Sequence, residues 1–403
     1  MGTQWVPPRT VVAEDWLGAE FLAEAAPWVA EGEQTYFDRL AGGADRDILL
    51  FGAGNLGRRT LAGLRGVGVE PLAFLDNNPS LQGTIVDGVP VRSAREVPEY
   101  ARGRTAVVTT VWSPNRPLAH QTLATQLDAL HGALAVPFVP LYWKWAAKFL
   151  PYHCLDLPHR LYEQAPHVKA AYALFADLVS QVEFRTQLSY VLSAMDYVGL
   201  ESPRSGAFFP EDLFELSQEE VFVDCGAFDG DTIRTFLAAC HGRFREVVAF
   251  EPDLDAVGRL RNMVAELLVD GSSRVRVEEA AVGNTPGFVS FEGGGTHGSR
   301  ISEKGPLRVA CVTLDEALAG VAPTFIKMDI EGAERAALLG ADRTIRDHRP
   351  ILAVCVYHLQ DDLHTLPLLL SRLCVDYSLF LRRRAVDNEL LCFAVPDERL
   401  RRR

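Results

Sequence analysis

The sequence lacks most features of a secreted or membrane protein. Its seven cysteines are scattered singly, with no C-x-x-C pair, which argues against a disulfide framework and against a thiolate zinc site. No stretch approaches the roughly 18 apolar residues that a transmembrane helix requires. The N-terminus has no basic region followed by an apolar run, so we expect no secretory signal and a cytoplasmic protein without a membrane partner.

Basic charge is also scarce. The formal net charge is −13, and 35 arginines stand against only five lysines. Binding to nucleic acid requires a basic surface that neutralises phosphates, so this balance argues against a nucleic-acid partner. The single notable basic run, RLRRR at the C-terminus, is short and typical of a solvated tail. The arginine bias in an alanine-rich chain indicates a GC-rich, bacterial genome.

What is present predicts more than one domain. A chain of 403 residues is expected to form two or three domains. Apolar spacing predicts a helical lead-in over 1–46, a Rossmann-like nucleotide-binding domain over 47–140 and a helical connector or cap over 141–215. An α/β domain with a doubly wound sheet is predicted for 216–403. Its seven predicted strands are 221–226, 246–252, 275–283, 325–330, 350–358 and a closing pair, 377–384 and 389–396, that is joined by a turn around Asp387 and Asn388.

Two glycine loops follow predicted strands. The first, GAGNLG at 52–57, is a full G-x-G-x-x-G between a strand and a helix, the context in which this motif binds a pyrophosphate. An acidic residue at the end of the second strand could take a ribose hydroxyl. The residues of this accessory nucleotide loop are Gly52, Gly54, Gly57 and Asp76.

The function of the first loop has two interpretations. An NAD(P)-dependent oxidoreductase would bind its cofactor here, yet no apparatus for hydride transfer follows within a hundred residues. The segment FLDNNPSLQGTIVDGVPV resembles the N-terminal domain of PglD-type sugar O-acyltransferases, which implies nucleotide or nucleotide-sugar binding. We expect an accessory domain, and keep NAD(P)-dependent oxidoreduction and non-catalytic nucleotide-sugar binding as alternatives for the whole protein.

The second loop, DCGAFDGDT at 224–232, has a different charge. Asp224, Asp229 and Asp231 would repel a pyrophosphate at the helix N-terminus. The same carboxylates suit the sulfonium and ammonium groups of S-adenosylmethionine. Glu251 ends the next strand, where a carboxylate can accept hydrogen bonds from both ribose hydroxyls, and residues 279–281 would lie beside the adenine. The predicted cofactor-binding residues are Asp224, Gly226, Phe228, Gly230, Asp231, Thr232, Glu251, Pro252, Glu279, Ala280, Ala281 and Asp329.

Residues from about 205 to 396 resemble the FkbM family of S-adenosylmethionine-dependent methyltransferases. The matching stretches include EVFVDCGAFDGDT, VVAFEPD, GSRIS, FIKMDIEGAERAALLGA and YHLQDDLHTLPLLL. The resemblance implies a class I methyltransferase-type, seven-stranded sheet, and some members of the family carry an N-terminal Rossmann-like domain. One departure is Phe208, where relatives often have a tyrosine, so a polar contact of that side chain is lost.

Methyl transfer to an alcohol needs a positioned nucleophile and removal of its proton. The stretch FIKMDIEGAE places Asp329, Glu331 and Glu334 at the carboxyl end of the fourth predicted strand, and the resemblance makes D-x-E-G-x-E the hallmark of the family. Three adjacent carboxylates repel unless a divalent cation, Lys327 or protonation offsets them. The sequence leaves the metal open, with Asp329 and Glu331 as its ligands if one binds.

His358 ends the fifth predicted strand and is a candidate general base, with Asp361 or Asp362 to orient it. The predicted catalytic residues are His358, Asp329 and Glu331. The predicted substrate contacts are His297, Ser299, Arg300 and Lys327. We therefore expect an O-methyltransferase that acts on a hydroxyl of a sugar or secondary metabolite. Its oligomeric state is open, with a homo-oligomer among the options.

Overall fold

The computed structural model describes residues 22–93, 105–111, 134–194, 208–267, 274–294, 299–302, 305–384 and 389–401. The predicted turn at Asp387 and Asn388, a predicted helix at 114–131 and the candidate His297 lie outside these ranges. No helix in the described ranges is both long and apolar enough to cross a membrane.

The chain divides into two compact units. The first comprises residues 1–166 and 185–201, and the second comprises 167–184 and 202–403. The helical stretch that follows the first sheet therefore contributes residues to both units. Each unit is built around its own sheet.

The first unit contains a six-stranded sheet in the order β3-β4-β2-β1-β5-β6. Neighbouring strands are parallel except for the antiparallel pair β3 and β4. The four residues that end β1 are buried, as expected for a strand covered on both faces. The strands are β1 (Asp47–Phe51), β2 (Ala73–Asp76), β3 (Ile85–Val86), β4 (Val89–Ser93), β5 (Thr105–Thr109) and β6 (Leu134–Pro137).

Helices precede and follow this sheet. The predicted strand at 133–140 is shorter than expected, because the chain turns into a helix at Phe138. The helices are α1 (Leu22–Ala41), α2 (Asn55–Arg65), α3 (Phe138–Lys144), α4 (Ala146–Phe149), α5 (Pro158–Glu163), α6 (Ala165–Tyr172) and α7 (Leu178–Leu192).

The second unit contains the predicted seven-stranded sheet, in the order β16-β17-β15-β14-β7-β8-β9. Five strands are parallel, and β17 pairs antiparallel with both of its neighbours. This confirms the doubly wound sheet that ends in a hairpin. The strands are β7 (Val221–Cys225), β8 (Glu246–Phe250), β9 (Val275–Glu278), β14 (Phe325–Met328), β15 (Ile351–Cys355), β16 (Tyr377–Arg383) and β17 (Leu390–Pro396).

The predicted strand at 275–283 is wrong in one respect, because the structure divides it. Strand β9 stops at Glu278, and the amide of Ala280 turns back to donate to the Glu278 carbonyl oxygen, 3.0 Å away. The chain then enters a second sheet of order β10-β13-β11-β12 that the sequence pattern did not predict. Its strands are β10 (Ala281–Val282), β11 (Gly287–Glu292), β12 (Arg300–Ile301) and β13 (Leu307–Val312).

Aromatic side chains form much of the core of the second unit. The rings of Phe222 and Phe236 stack at 4.7 Å, and Phe209 and Phe325 pack around them. Burial of such rings is the main source of stability for the sheet that carries the loops. The helices of this unit are α8 (Asp231–Ala239), α9 (Leu254–Leu267), α10 (Leu314–Ala317), α11 (Glu334–Leu339), α12 (Asp342–His348) and α13 (Asp362–Leu373).

Candidate active site

The D-x-E-G-x-E motif forms a tight turn after β14, and Glu334 holds that turn together. The Glu334 carboxylate is buried and accepts hydrogen bonds from the amides of Ile330 (2.8 Å) and Gly332 (3.0 Å). Glu331 and Gly332 both have left-handed backbones, with φ of +54° and +99°. Glycine adopts that conformation freely, whereas a non-glycine residue there is uncommon. The last glutamate of the motif therefore shapes the loop on which the middle one is displayed.

His358 lies among the three carboxylates of the motif. Its Nδ1 is 2.8 Å from Glu334 Oε1, and its Nε2 is 3.2 Å from Asp329 Oδ1 and 3.9 Å from Glu331 Oε2. The ring is buried, and the structure thus joins the three predicted catalytic residues. The orienting carboxylate belongs to Glu334 and not to Asp362, which accepts the amide of Leu359 at 2.8 Å.

This arrangement changes the pKa of each group. Burial alone would lower the pKa of His358, but the charges of Glu334 and Asp329 raise it well above its usual value. Burial would raise the pKa of Asp329, yet Lys327 and His358 hold it well below its usual range. Burial raises the pKa of Glu331 to about 7, assisted by the charges of Asp329 and Glu334 and opposed by His358. The mutual repulsion of the carboxylates is thus offset by protein groups.

Lys327 lies beneath the cofactor loop, away from the position of a substrate contact. Its Nζ is 2.9 Å from Asp224 Oδ1 and donates to the Gly226 carbonyl oxygen at 2.8 Å. Asp224 and Lys327 are both buried, and burial raises the pKa of Asp224 to about 6. The charge of Asp224, which the sequence analysis directed at the cofactor, is therefore compensated from below.

Glu251 connects the first and second strands of the cofactor site. Its two carboxylate oxygens accept the amides of Phe228 and Asp253, each at 2.9 Å. Burial raises the pKa of Glu251, and these two backbone hydrogen bonds oppose that rise. Each carboxylate oxygen can accept a second hydrogen bond. The residue thus shapes the loop and retains acceptor capacity for ribose hydroxyls.

Gly226 and Gly230 allow the cofactor loop to adopt its path. Both have left-handed backbones, with φ of +81° and +87°. A Cβ on Gly226 would lie 2.0 Å from the Asp329 carbonyl oxygen, so only glycine fits between the two loops. Asp231 begins α8, and its Oδ1 accepts the amide of the buried Thr232 at 2.7 Å.

The remaining predicted cofactor residues lie after β8 and β9. Pro252 follows Glu251 and is partly buried. Glu279 is exposed and forms an ion pair with Arg261 at 2.5 Å. Ala280 and Ala281 are buried where the chain leaves the main sheet. The structure thus brings these residues to the same edge of the sheet as Glu251.

Two predicted substrate contacts already have partners in the protein. Ser299 Oγ donates to Asp253 Oδ2 at 3.0 Å, which also accepts the amide of Gly294 at 2.9 Å. Arg300 Nε donates to Glu292 Oε2 at 3.2 Å. Asp253 therefore anchors both ends of the glycine-rich loop, a role that sequence reasoning missed.

The first glycine loop, in the other unit, is organised in the same manner. Asp76 Oδ2 accepts the amide of Ala53 at 2.9 Å, and its Oδ1 accepts that of Asn78 at 2.8 Å. A Cβ on Gly57 would lie 1.9 Å from the Gly52 carbonyl oxygen, whereas one on Gly54 would meet no atom within 4 Å. Two glycines serve close packing, and the open one leaves room for a ligand.

Three further side chains border the carboxylates. Tyr357 donates from its hydroxyl to Asp329 Oδ1 at 3.3 Å. The guanidinium carbon of Arg384 lies 4.4 Å from the Phe208 ring centroid, and Lys327 Nζ is 5.6 Å from the same centroid. Phe208 thus packs against two cations. Tyr357 was detectable as the neighbour of His358, whereas no local pattern identified Arg384.

The predicted metal ligands do not form a metal centre with their neighbours. Among the described residues, no group of three or more histidine, cysteine, aspartate or glutamate side chains has an arrangement that could hold a metal ion. Between Asp329 and Glu334 lies the His358 ring instead. Metal dependence stays a question for experiment.

Comparison with known proteins identifies the second unit. A crystal structure of the methyltransferase FkbM from Methylobacillus flagellatus KT is similar in fold, with a TM-score of 0.74, 22% sequence identity, and coverage of 93% of this chain and 98% of that one. An rRNA methylase from Streptococcus thermophilus matches 47% of this chain and 92% of its own at 16% identity, with a TM-score of only 0.30. None of the curated proteins matches the sequence. Residues 224–374 match the family model for the methyltransferase FkbM domain, and the chain therefore contains a methyltransferase domain of this family.

Proposed function

We propose that the protein transfers a methyl group from S-adenosylmethionine to a hydroxyl oxygen of a small molecule, such as a sugar or a secondary metabolite. The methyltransferase FkbM domain supports methyl transfer. The observation that carries the proposal is the contact between Gly226 and Asp329, which sets the carboxylate cluster directly against the cofactor loop. In doubly wound sheets, ligands bind at this carboxyl edge of the strands.

The residues around the loop fit this cofactor better than a dinucleotide. The loop presents carboxylates, with Asp229 and Asp231 partly exposed, and acidic side chains at a helix N-terminus disfavour phosphate. Glu251 would hold the ribose, and the loop from Gly226 to Gly230 would hold the amino-acid part. When bound, the cofactor supplies a methyl group on a sulfonium. The protein positions that group against the acceptor and removes the acceptor proton.

Hydroxyl oxygen is the proposed acceptor because the site contains partly exposed carboxylates. Asp329 and Glu331 have side chains 21% and 22% exposed, whereas Glu334 and His358 are buried. An alcohol needs a base during transfer, which such a carboxylate supplies. The charge of −13 supports an acceptor other than nucleic acid. The first glycine loop, with open space at Gly54, is proposed as an accessory nucleotide site.

Calorimetric titration with S-adenosylhomocysteine tests the cofactor assignment. We expect Glu251→Gln to weaken binding by about 10-fold or more, because hydrogen bonds to a charged group contribute about 1.5–3 kcal/mol. Asp76 holds the corresponding amide in the other unit, so Asp76→Asn asks which loop binds. Loss of affinity in Asp76→Asn with retention in Glu251→Gln would refute the assignment. Glu215→Gln, at an exposed glutamate, is the inert control.

A further inference from the structure

Two groups are placed to receive the proton of an acceptor hydroxyl, the imidazole of His358 and the carboxylate of Glu331. Both lie beside Asp329, with His358 Nε2 3.2 Å from Asp329 Oδ1 and 3.9 Å from Glu331 Oε2. The choice between them rests on the proposed methyl transfer and on the contacts of each group.

Both nitrogens of the His358 ring face carboxylate oxygens. Nδ1 is 2.8 Å from Glu334 Oε1, and Glu334 already accepts the amides of Ile330 and Gly332, so its oxygens act as acceptors. A ring with a proton on Nδ1 alone would direct the lone pair of Nε2 at Asp329, where two acceptors would oppose each other. A proton on both nitrogens satisfies both contacts. The imidazolium then has no lone pair with which to act as a base.

Asp329 is also a poor proton acceptor. Its Oδ1 receives the Tyr357 hydroxyl at 3.3 Å and faces His358 Nε2. The charges of Lys327 and Arg384 stabilise the ionised carboxylate further. A carboxylate surrounded by so many donors and cations has little tendency to bind a proton.

Glu331 differs from both neighbours. Its side chain is 22% exposed, and within the described ranges no hydrogen bond of 3.5 Å or less reaches it. The charged groups that face it are Asp329, Glu334, His358 and Arg300. Burial raises its pKa to about 7, close to the value at which a general base works best at neutral pH. Its left-handed backbone, pinned through Glu334, fixes where the carboxylate stands.

We propose that Glu331 accepts the proton of the acceptor hydroxyl, and that His358 is a permanently protonated positioning residue that holds Asp329 and Glu334. The hydroxyl oxygen forms a bond to the methyl carbon as the carbon–sulfur bond of the methyl donor breaks. Sulfur keeps the electron pair of that bond, and the hydroxyl proton moves to a Glu331 oxygen. The proton then leaves to solvent through the exposed part of that side chain.

Nuclear magnetic resonance of the full chain tests the protonation states without any ligand. With 15N-histidine label, we expect both His358 ring nitrogens to stay protonated from about pH 6 to pH 8; the surrounding charges are Glu334, Asp329, Glu331 and, near Glu334, Asp362. With 13C-carboxyl glutamate label, the signal that is missing in Glu331→Gln should titrate near pH 7. Loss of the His358 proton below about pH 7, or titration of Glu331 below about pH 5, would overturn the proposal.

Transfer of a labelled methyl group from S-adenosylmethionine to a panel of hydroxylated compounds gives the kinetic arm. Glu331→Gln should lower kcat by about 100-fold or more and abolish the rise of kcat through neutral pH, with affinity for S-adenosylhomocysteine unchanged. His358→Gln should move that rise to higher pH without abolishing it. A Glu331→Gln protein that keeps kcat within about threefold would contradict the assignment. Failure of the wild-type protein to bind S-adenosylhomocysteine would contradict the methyl transfer instead, and the resonance titrations would still decide the base.

Discussion

Gly226 and Asp329 belong to different loops, yet a Cβ on Gly226 would lie 2.0 Å from the Asp329 carbonyl oxygen. Strands β7 and β14 are adjacent and parallel, with Cys225 paired to Met328, so the loops that follow them leave the sheet side by side. The amide of Asp329 donates to the Cys225 carbonyl oxygen at 3.1 Å, which extends the ladder by one residue. Cofactor loop and carboxylate turn therefore cannot move independently.

Gly226→Ala should destabilise the second unit by about 2 kcal/mol or more. The new methyl group would strike backbone, and φ of +81° is unfavourable for alanine. Thermal unfolding followed by circular dichroism measures the change. Gly54→Ala is the matched control, because Gly54 has φ of −78° and no atom lies within 4 Å of the position that an alanine methyl group would occupy. Equal losses in both variants would contradict the close-approach argument.

Lys327→Met should cost about 3–5 kcal/mol, because it leaves the charge of Asp224 buried without a partner. Adding Asp224→Asn to this variant should recover part of the loss, since the unpaired charge is then removed. Urea unfolding of the two single variants and the double variant forms a double-mutant cycle. A coupling energy below about 0.5 kcal/mol would show that the two side chains are independent.

Glu334→Gln should destabilise the carboxylate turn by about 1–3 kcal/mol. An amide group in place of one carboxylate oxygen would direct its own hydrogens at a backbone amide or at His358, and leave a buried donor unsatisfied. Urea unfolding provides the measurement. In the same assay Glu215→Gln, which affects only an exposed ion pair with Arg401, should change stability by less than about 0.5 kcal/mol.

The stability difference between wild type and Glu331→Gln should depend on pH. The pKa of Glu331 is raised from its usual 4.5 to about 7 in the folded state, so its protonated form favours folding. That contribution is fully present below about pH 4.5 and is lost as pH rises through about 7. Glu331→Gln should therefore gain stability relative to wild type across this window, by at most about 3 kcal/mol. A constant difference between the two melting temperatures from pH 4.5 to 7.5 would contradict the raised pKa.

Much of the fold followed from local pattern. Continuous apolar runs such as VFVDC and the capping glycines predicted β7, β8, β14, β15 and the closing hairpin, because buried parallel strands need apolar residues on both faces. The antiparallel sheet of β10 to β13 was missed. Its strands are short and half exposed, so their residues lack the alternation that identifies a strand.

The sequence by itself determined which residues stand at the carboxyl edge of the second sheet, because strand ends and parallel order are enough to place Asp224, Glu251, Asp329 and His358 there. Only the tertiary structure decided their partners. Lys327 meets Gly226 across 101 residues, and His358 meets Glu334 across 24. Such contacts depend on strand register and on the direction of each side chain, which neighbouring residues in the sequence do not encode. For that reason the acidic motif was readable from the sequence, whereas the protonated histidine within it was not.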